Sequence, residues 1–485
     1  MKTDGFLQYS LPVFISLTLR SSVLLHPHSG QGQPPMYGDY EAQRHWMEIT
    51  VNMPPSEWYF NSTKNDLNYW GLDYPPLTAY HSWVLGKISH EINPNWTLLA
   101  SSRGTETTDH KVFMRYTVLF SDLLIFMPAV LYFFYVALPS AAPHCEIPPF
   151  YACCLTFAYP GLILIDHGHF QYNCVSLGLF ILALGLLLRD HDTLSTVLFC
   201  LALSYKQMEL YHSLPLFFYL LGKCLRLPVF LGMTCILKLS AAVLFTFATV
   251  FSPFLTDGSA LYQVLHRLFP VARGLYEDKV ANFWCATSPL LKWSVLFTQA
   301  DLVKLCVISV ALISFPGCIS LLLRPSKRRL MYALCSTSMA FFLFSYQVHE
   351  KSVLLVAIPA FCLFPLCPLP SFLFAVSSTL SMWPLFLKDR LAFPCACTTL
   401  IFVCFGLFVL APSSRSTRYP SLVCLLSLLF TILSSFGLIF ASQAIWYPPT
   451  TYPDLFALLV SALACFQFIL FLLVWNYKLF TSDEA

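Results

Sequence analysis

The run FALLVSALACFQFILFLLVW, Phe456 to Trp475, is twenty residues without a charge. As an α-helix it is about 30 Å long, the thickness of the hydrocarbon core of a bilayer. Inside lipid a chain must satisfy its own backbone hydrogen bonds, so such a run reads as a transmembrane helix. Working outward from it, comparable apolar segments recur. About fourteen are centred near residues 16, 125, 156, 180, 198, 217, 241, 309, 338, 359, 377, 402, 431 and 467. Composition agrees, with 57% hydrophobic and 11% charged residues, 44 Phe and a mean hydropathy of +0.65. A soluble core does not need that much apolar surface. The expectation is an all-α polytopic membrane protein, a single membrane-embedded domain over residues 1–485. The first segment lacks a small-x-small cleavage site before Arg20, so it reads as a retained helix.

The net charge of +3 is too small and scattered for a nucleic-acid partner. The 18 Cys lie mostly inside apolar segments, as Cys153, Cys154, Cys200 and Cys404 do. They read as small apolar residues rather than disulfides or metal ligands.

Basic residues orient the chain. With the N-terminus cytosolic, the short loops on that side hold Arg189, Lys223, Arg226, Arg324, Lys327, Arg328, Arg329, Arg415 and Arg418. The opposite short loops hold Lys206, Lys351, Lys388 and Arg390, which is the positive-inside bias. Two long loops, 27–111 and 253–294, then lie on the non-cytosolic side, ahead of a helical C-terminal part, 295–485. Glycosylation sequons begin at Asn61 and Asn95 in the first of these loops, an independent sign for the same side. Asp39 to Thr50 reads as a short amphipathic helix. Trp58, Tyr59, Tyr69, Trp70 and Trp83 read as an aromatic belt at the membrane interface.

Six polar clusters fall on that same face: 38–41, 71–76, 166–173, 205–211, 273–279 and 347–351. One site assembled from six loops is the economical reading, because ionisable groups near a membrane are costly and usually functional. Asp39 is suited to take a proton from a hydroxyl nucleophile. His349, Lys351, Lys206, Arg273 and Lys279 are suited to receive a phosphate leaving group. Arg44, His167 and His169 are further candidates for substrate contact. No Gly-rich phosphate loop or paired-acid metal motif occurs, and His167 and His169 have no partners that complete a metal site. The implied donor is carried by a lipid rather than by a nucleotide. Plainer readings stand beside these. Acids such as Asp39 and Glu41 favour a helix N-terminus, Asp73 suits a turn before two prolines, Arg44 and His45 pair with nearby acids, and Lys206 with Glu209 or Glu350 with Lys351 form ion pairs.

The strings GDYEAQRHW (38–46), YWGLDYPPLTA (69–79), DHGHFQYN (166–173), YKQME (205–209) and VHEK (348–351) closely resemble the dolichyl-phosphate-glucose-dependent glucosyltransferases of the endoplasmic reticulum. The likeness runs from about residue 29 to the last span and is thin between about 390 and 445. It implies a GT-C fold with interfacial helices in the first lumenal loop. It implies dolichyl-phosphate-glucose as donor and dolichyl-diphosphate Man9GlcNAc2 as acceptor, with an α-1,3-linked glucose added to the acceptor's terminal mannose. By the matching motifs, the catalytic aspartate is Asp39, with Asp73, Glu41 and the pair His349 and Glu350 in support. No cofactor beyond the lipid-linked donor is implied. The expected location is the endoplasmic reticulum membrane, with the site facing the lumen. Two alternatives remain: a relative that adds the second glucose, and a lipid-linked sugar transporter or flippase. The latter would bury charge at mid-bilayer and carry an internal repeat. Here the charges lie in loops, and no repeat is found.

Overall fold

In the computed structural model, residues 5–143, 145–269, 274–413, 430–431, 433–439 and 448–481 are described. Among them the architecture is all-helical, and its only strand-like pairing is an isolated bridge between Tyr276 and Val348. Six helices are long and apolar enough to cross a membrane. These are α4 (Thr108–Ala141), α5 (Pro149–Phe170), α9 (Val229–Val250), α11 (Gln299–Leu323), α15 (Ala392–Ser413) and α16 (Leu455–Thr481). The opening run thus lies in the longest apolar stretch of α16. Helix α1 (Gly5–Val23) packs against the first half of α5. The segments expected near 180, 198, 217, 359 and 377 are helices of 16, 14, 13, 10 and 14 residues: α6 (Asn173–Leu188), α7 (Asp192–Tyr205), α8 (Ser213–Leu225), α13 (Leu354–Leu363) and α14 (Pro368–Ser381). These are shorter than the roughly twenty residues a lone span needs. Several, α13 and α14 above all, are buried among other helices, where protein rather than lipid surrounds the backbone. The segment near 338 is α12 (Lys327–Phe344), the segment near 431 is helical over its described residues, and Arg415 and Arg418 lie outside them.

Two of the long helices are irregular, with wider turns along their length. In α4, wider π-turns at Asp122–Phe126 and Phe133–Ala137 come just before Pro128 and Pro139. A proline lacks the amide that the preceding turn would use, and a wider turn accommodates that loss. In α5 the last seven residues, Leu164–Phe170, are wound the same way and carry His167 and His169.

The first long loop is folded, not draped over a surface. Helix α2 (Asp39–Asn52) packs on α3 (Pro76–Ile92) so closely that a Cβ on Gly86 would lie 2.6 Å from Val51 Cγ2. Every α2 residue from Tyr40 to Thr50 is buried, so the expected amphipathic helix has no free polar face. Trp58 and Tyr59 are likewise buried rather than belt-like. They pack with Phe254, Val264 and Leu268 from the second long loop, whose helix α10 spans Gly258–Leu268. Hydrogen bonds from Arg267 to the carbonyls of Gly71 and Leu72, at 2.8 and 3.1 Å, tie the two loops together. Trp83, 43% exposed, still fits the belt reading.

The basic residues divide between two places. Lys223 and Lys327 both pair with Asp190, at 3.0 and 2.6 Å, whereas Lys206 and Lys351 meet at one polar cavity.

Candidate active site

All six polar clusters contribute to the wall of a single cavity of about 460 Å³, through Asp39, Asp73, Gln171, Lys206, Glu277 and Lys351 among others. Left-handed backbone is concentrated around it. Tyr37, Trp70, Phe170 and Gln347 have φ of 60°, 49°, 93° and 60°, and each lies at or within three residues of a cavity residue. A non-glycine residue in that region costs about 1–3 kcal/mol, strain typical of sites whose geometry is held for function.

Asp39 opens α2. Gly38 before it has φ 82°, a conformation suited to glycine, and a Cβ there would lie 2.6 Å from Ser29 Oγ. The same hydroxyl accepts from the Asp39 amide at 3.2 Å. Three side chains converge on one oxygen of this carboxylate. Oδ2 accepts from Lys351 Nζ at 2.5 Å, from His169 Nε2 at 3.0 Å and from Gln171 Nε2. No hydrogen bond to Oδ1 is found among the described residues. Burial pushes the Asp39 carboxyl up, but the charges and hydrogen bonds of Lys351 and His169 outweigh it and hold the group well below the usual carboxylate range.

Basic and acidic side chains both line the cavity around Asp39. Lys206 Nζ donates to Asn173 Oδ1 and lies 5.2 Å from the Tyr74 ring centre. Burial first, then the Lys351 charge, bring its amine down to about 8. His349 is held well below its ordinary value, by burial and then by Lys351, so it faces the cavity as a neutral ring. Its Nε2 lies 3.3 Å from Glu277 Oε2, and its buried Nδ1 has no partner among the described residues. The segment that carries Glu277 is stitched to that of His349 by backbone bonds from Gln347 to Leu275 (2.9 Å) and from Glu277 to Val348 (3.2 Å).

A second cavity, about 440 Å³ and almost wholly apolar, abuts the first. Residues of α7, α9 and α10 line it, including Leu203, Phe247, Ala248 and Leu265. The two cavities share Gln207 and Leu268. Gln207 Nε2 donates to the carbonyls of Asp73 (3.1 Å) and Leu268 (3.2 Å), so this side chain is part of the partition.

Of the residues singled out from the sequence, Asp39, Asp73, His349, Lys351 and Lys206 line the polar cavity, and His169 reaches it through Asp39. Glu41 and Arg44 do not line it. Arg44 is fully buried and grips Glu41 with two bonds of 2.6 and 2.7 Å, Glu48 at 2.7 Å and Ser102 at 2.5 Å, while Glu41 also accepts from Tyr69. Their work is to hold the first loop together behind α2. His167 turns away from His169 into the bundle, 2.5 Å from Asp122, which also pairs with Arg20 at 2.7 Å. Two histidines two residues apart on a wide turn thus serve two separate networks. Glu350 is buried off the cavity. Its Oε2 lacks a described partner, and burial followed by the Asp278 charge pushes its carboxyl up to about 7. Lys279 pairs instead with Asp454 at 3.0 Å. Arg273 lies outside the described residues. The sequon residues Asn61 and Asn95 are both exposed.

Gln171, Arg267 and Asp389 were not singled out. Gln171 lies within the 166–173 cluster, but a neutral amide gives no sign of catalytic work. Arg267 and Asp389 lie outside the clusters, and only the fold brings them near.

The sequence profile of the ALG6, ALG8 glycosyltransferase family matches residues 14–475. The chain is 45% identical over 489 aligned residues to a Gallus gallus protein named dolichyl pyrophosphate Man9GlcNAc2 alpha-1,3-glucosyltransferase, covering 96% of this chain and 95% of that one. It is 44% identical to a Drosophila melanogaster protein given the same name with "probable", covering 97% and 98%. An Arabidopsis thaliana protein with that name, also "probable", is 41% identical over 99% and 91%.

Proposed function

Because the chain belongs to the ALG6, ALG8 glycosyltransferase family, we infer that it is an α-1,3-glucosyltransferase acting on dolichyl pyrophosphate Man9GlcNAc2. We further propose dolichyl-phosphate-glucose as its donor, a GT-C arrangement of about fourteen membrane crossings, and an endoplasmic reticulum location with the cavity facing the lumen. The observation that carries the donor assignment is the shared wall at Gln207 and Leu268. A polar cavity with a carboxylate in its wall adjoins an apolar one, which suits a substrate that is sugar at one end and hydrocarbon at the other.

The reaction is a single inverting displacement. Asp39, held through Oδ2, uses Oδ1 to take the proton from the mannose 3-hydroxyl as its oxygen attacks glucose C1. The bond from C1 to the phosphate oxygen breaks on the opposite face, so a β-linked donor yields an α-linked product. Dolichyl phosphate departs with the electron pair, a leaving group that needs charge stabilisation more than a general acid. Lys351, Lys206 and His349 surround the space it would enter, and Arg273 is proposed to join them. Lys351 has two uses here, since a phosphate beside it competes with Asp39 for its charge. Donor binding would thereby loosen the pair and make Asp39 a stronger base. Asp73 and Glu277, with Trp46, Trp70 and Tyr74, give the cavity the acids and flat aromatic faces that suit sugar hydroxyls and sugar rings. The scheme requires no metal and no nucleotide.

The test is transfer by purified protein from a synthetic dolichyl-phosphate-glucose, with Man9 and Glc1Man9 acceptors offered separately. Product from Man9 alone supports the reading. Product only from Glc1Man9 assigns the second glucose instead, and no product from either rejects the transferase reading.

A further inference from the structure

Asp389 ends the short helix Trp383–Lys388 and enters the site from outside the six clusters. It is 5% exposed, and its Oδ2 lies 2.5 Å from His169 Nδ1, across 220 residues of sequence. The other ring nitrogen, Nε2, lies 3.0 Å from Asp39 Oδ2 and 3.2 Å from Lys351 Nζ. One imidazole is thus clasped between two carboxylates, and an ionised carboxylate only accepts. Both contacts are hydrogen bonds when both ring nitrogens carry protons, and Lys351 Nζ, a donor only, then sits beside Nε2 without bonding it. With Lys351 and Asp39 the group then holds two positive and two negative charges and is neutral as a unit. The backbone around the ring is fixed as well, because the Arg115 guanidinium donates to the carbonyls of His167 and Gly168.

We propose that Asp389 is a positioning residue for glucosyl transfer. It holds His169 with Nε2–H aimed at Asp39 Oδ2, which leaves Asp39 Oδ1 directed at the acceptor hydroxyl. This rests on the reading of Asp39 as the base. Without the Asp389 charge, a neutral ring donating from Nδ1 turns a lone pair toward Asp39. The carboxylate then loses one of the three donors that orient it, while Lys351 stays paired with it.

The experiment measures kcat, donor KM and unfolding temperature for the full-length protein in phospholipid–detergent micelles, with synthetic dolichyl-phosphate-glucose and a Man9 acceptor. Asp389→Asn, His169→Gln and the double variant are compared, with Asp39→Asn as control. Asp389→Asn is expected to lower kcat roughly 10- to 100-fold, the range known for carboxylates that orient metal-ligating histidines, with a smaller change in donor KM. The double variant is expected to be no slower than His169→Gln, because Asp389 acts through that ring. Asp389→Ser, which leaves room for water, gives a second reading if the Asn variant folds poorly. Near-wild-type kcat in either folded variant, or losses that multiply in the double variant, overturns the proposal. If Asp39→Asn is silent while Asp389→Asn is active, only the Asp389 assignment falls. If Asp39→Asn itself turns over normally, the Asp39 reading fails and this proposal with it.

Discussion

Lys351 Nζ and Asp39 Oδ2 lie 2.5 Å apart, although 312 residues of chain separate them. Lys351 is the strongest charge acting on the proposed base, and in the proposed reaction it is also a cation for the leaving phosphate. Removing the carboxylate tests the base. Asp39→Asn keeps the shape and is expected to slow turnover by roughly 10²–10⁴-fold with little change in unfolding temperature.

The same pair sets a pH dependence. Asp39 is held well below the usual carboxylate range, so it stays ionised into mildly acid solution. Lys351→Gln removes the main lowering charge. The acid limb of kcat/KM should therefore move upward in pH, on top of a fall in kcat from the poorer phosphate site. An acid limb that stays in place in this variant would show that Asp39 is not the group being titrated.

Arg44 is expected to matter for folding rather than chemistry. Arg44→Met leaves Glu41 and Glu48 as buried carboxylates without their cation, a loss of about 3–5 kcal/mol. Lysine cannot reproduce the two-pronged grip on Glu41, so Arg44→Lys should also lower the unfolding temperature. The measurement is thermal unfolding with and without donor. A stable Arg44→Met protein that has lost only donor affinity would instead place Arg44 in the substrate site.

Glu350 offers a stability test with a defined direction. Its carboxyl is raised from 4.5 to about 7 in the folded protein, so between these values the folded state keeps a proton that the unfolded state has lost. Stability from this group is full below about 4.5 and declines as pH rises toward 7. Glu350→Gln mimics the protonated form. It should raise the unfolding temperature by roughly 1–3 °C at pH 8 and by much less at pH 5. Equal effects at both pH values would refute the assignment.

The apolar cavity predicts discrimination by chain length. Ala248 lies on its exposed rim, so Ala248→Trp obstructs it with little cost to the core. Losing two buried methylenes' worth of contact is worth about 1.6 kcal/mol, or somewhat more than tenfold in affinity. Donor KM should rise by about that factor for a long dolichyl chain and stay level for a donor with one or two isoprene units. A uniform change for both donors would mean that the chain runs elsewhere.

The helical, membrane-spanning class was legible because it depends on local quantities, the length and apolar content of runs such as 456–475 and the placement of Lys and Arg between them. The place of Asp39 in the polar cavity was legible too, since it stands in a dense polar motif and the motif resembles a family. Its company was not legible. His167 and His169 look equivalent in sequence, and only the wide turn ending α5 sends one to Asp122 and the other to Asp39. Arg44 and Glu41 looked like site residues, and packing turned them into the frame of the first loop. Asp389 lay between apolar runs with no motif to mark it. Composition and local pattern determine which segments seek lipid and which polar groups must be gathered somewhere. Which oxygen of Asp39 is held, by whom, and against which apolar cavity is decided by contacts between residues hundreds of positions apart, and those distances exist only once the helices have packed.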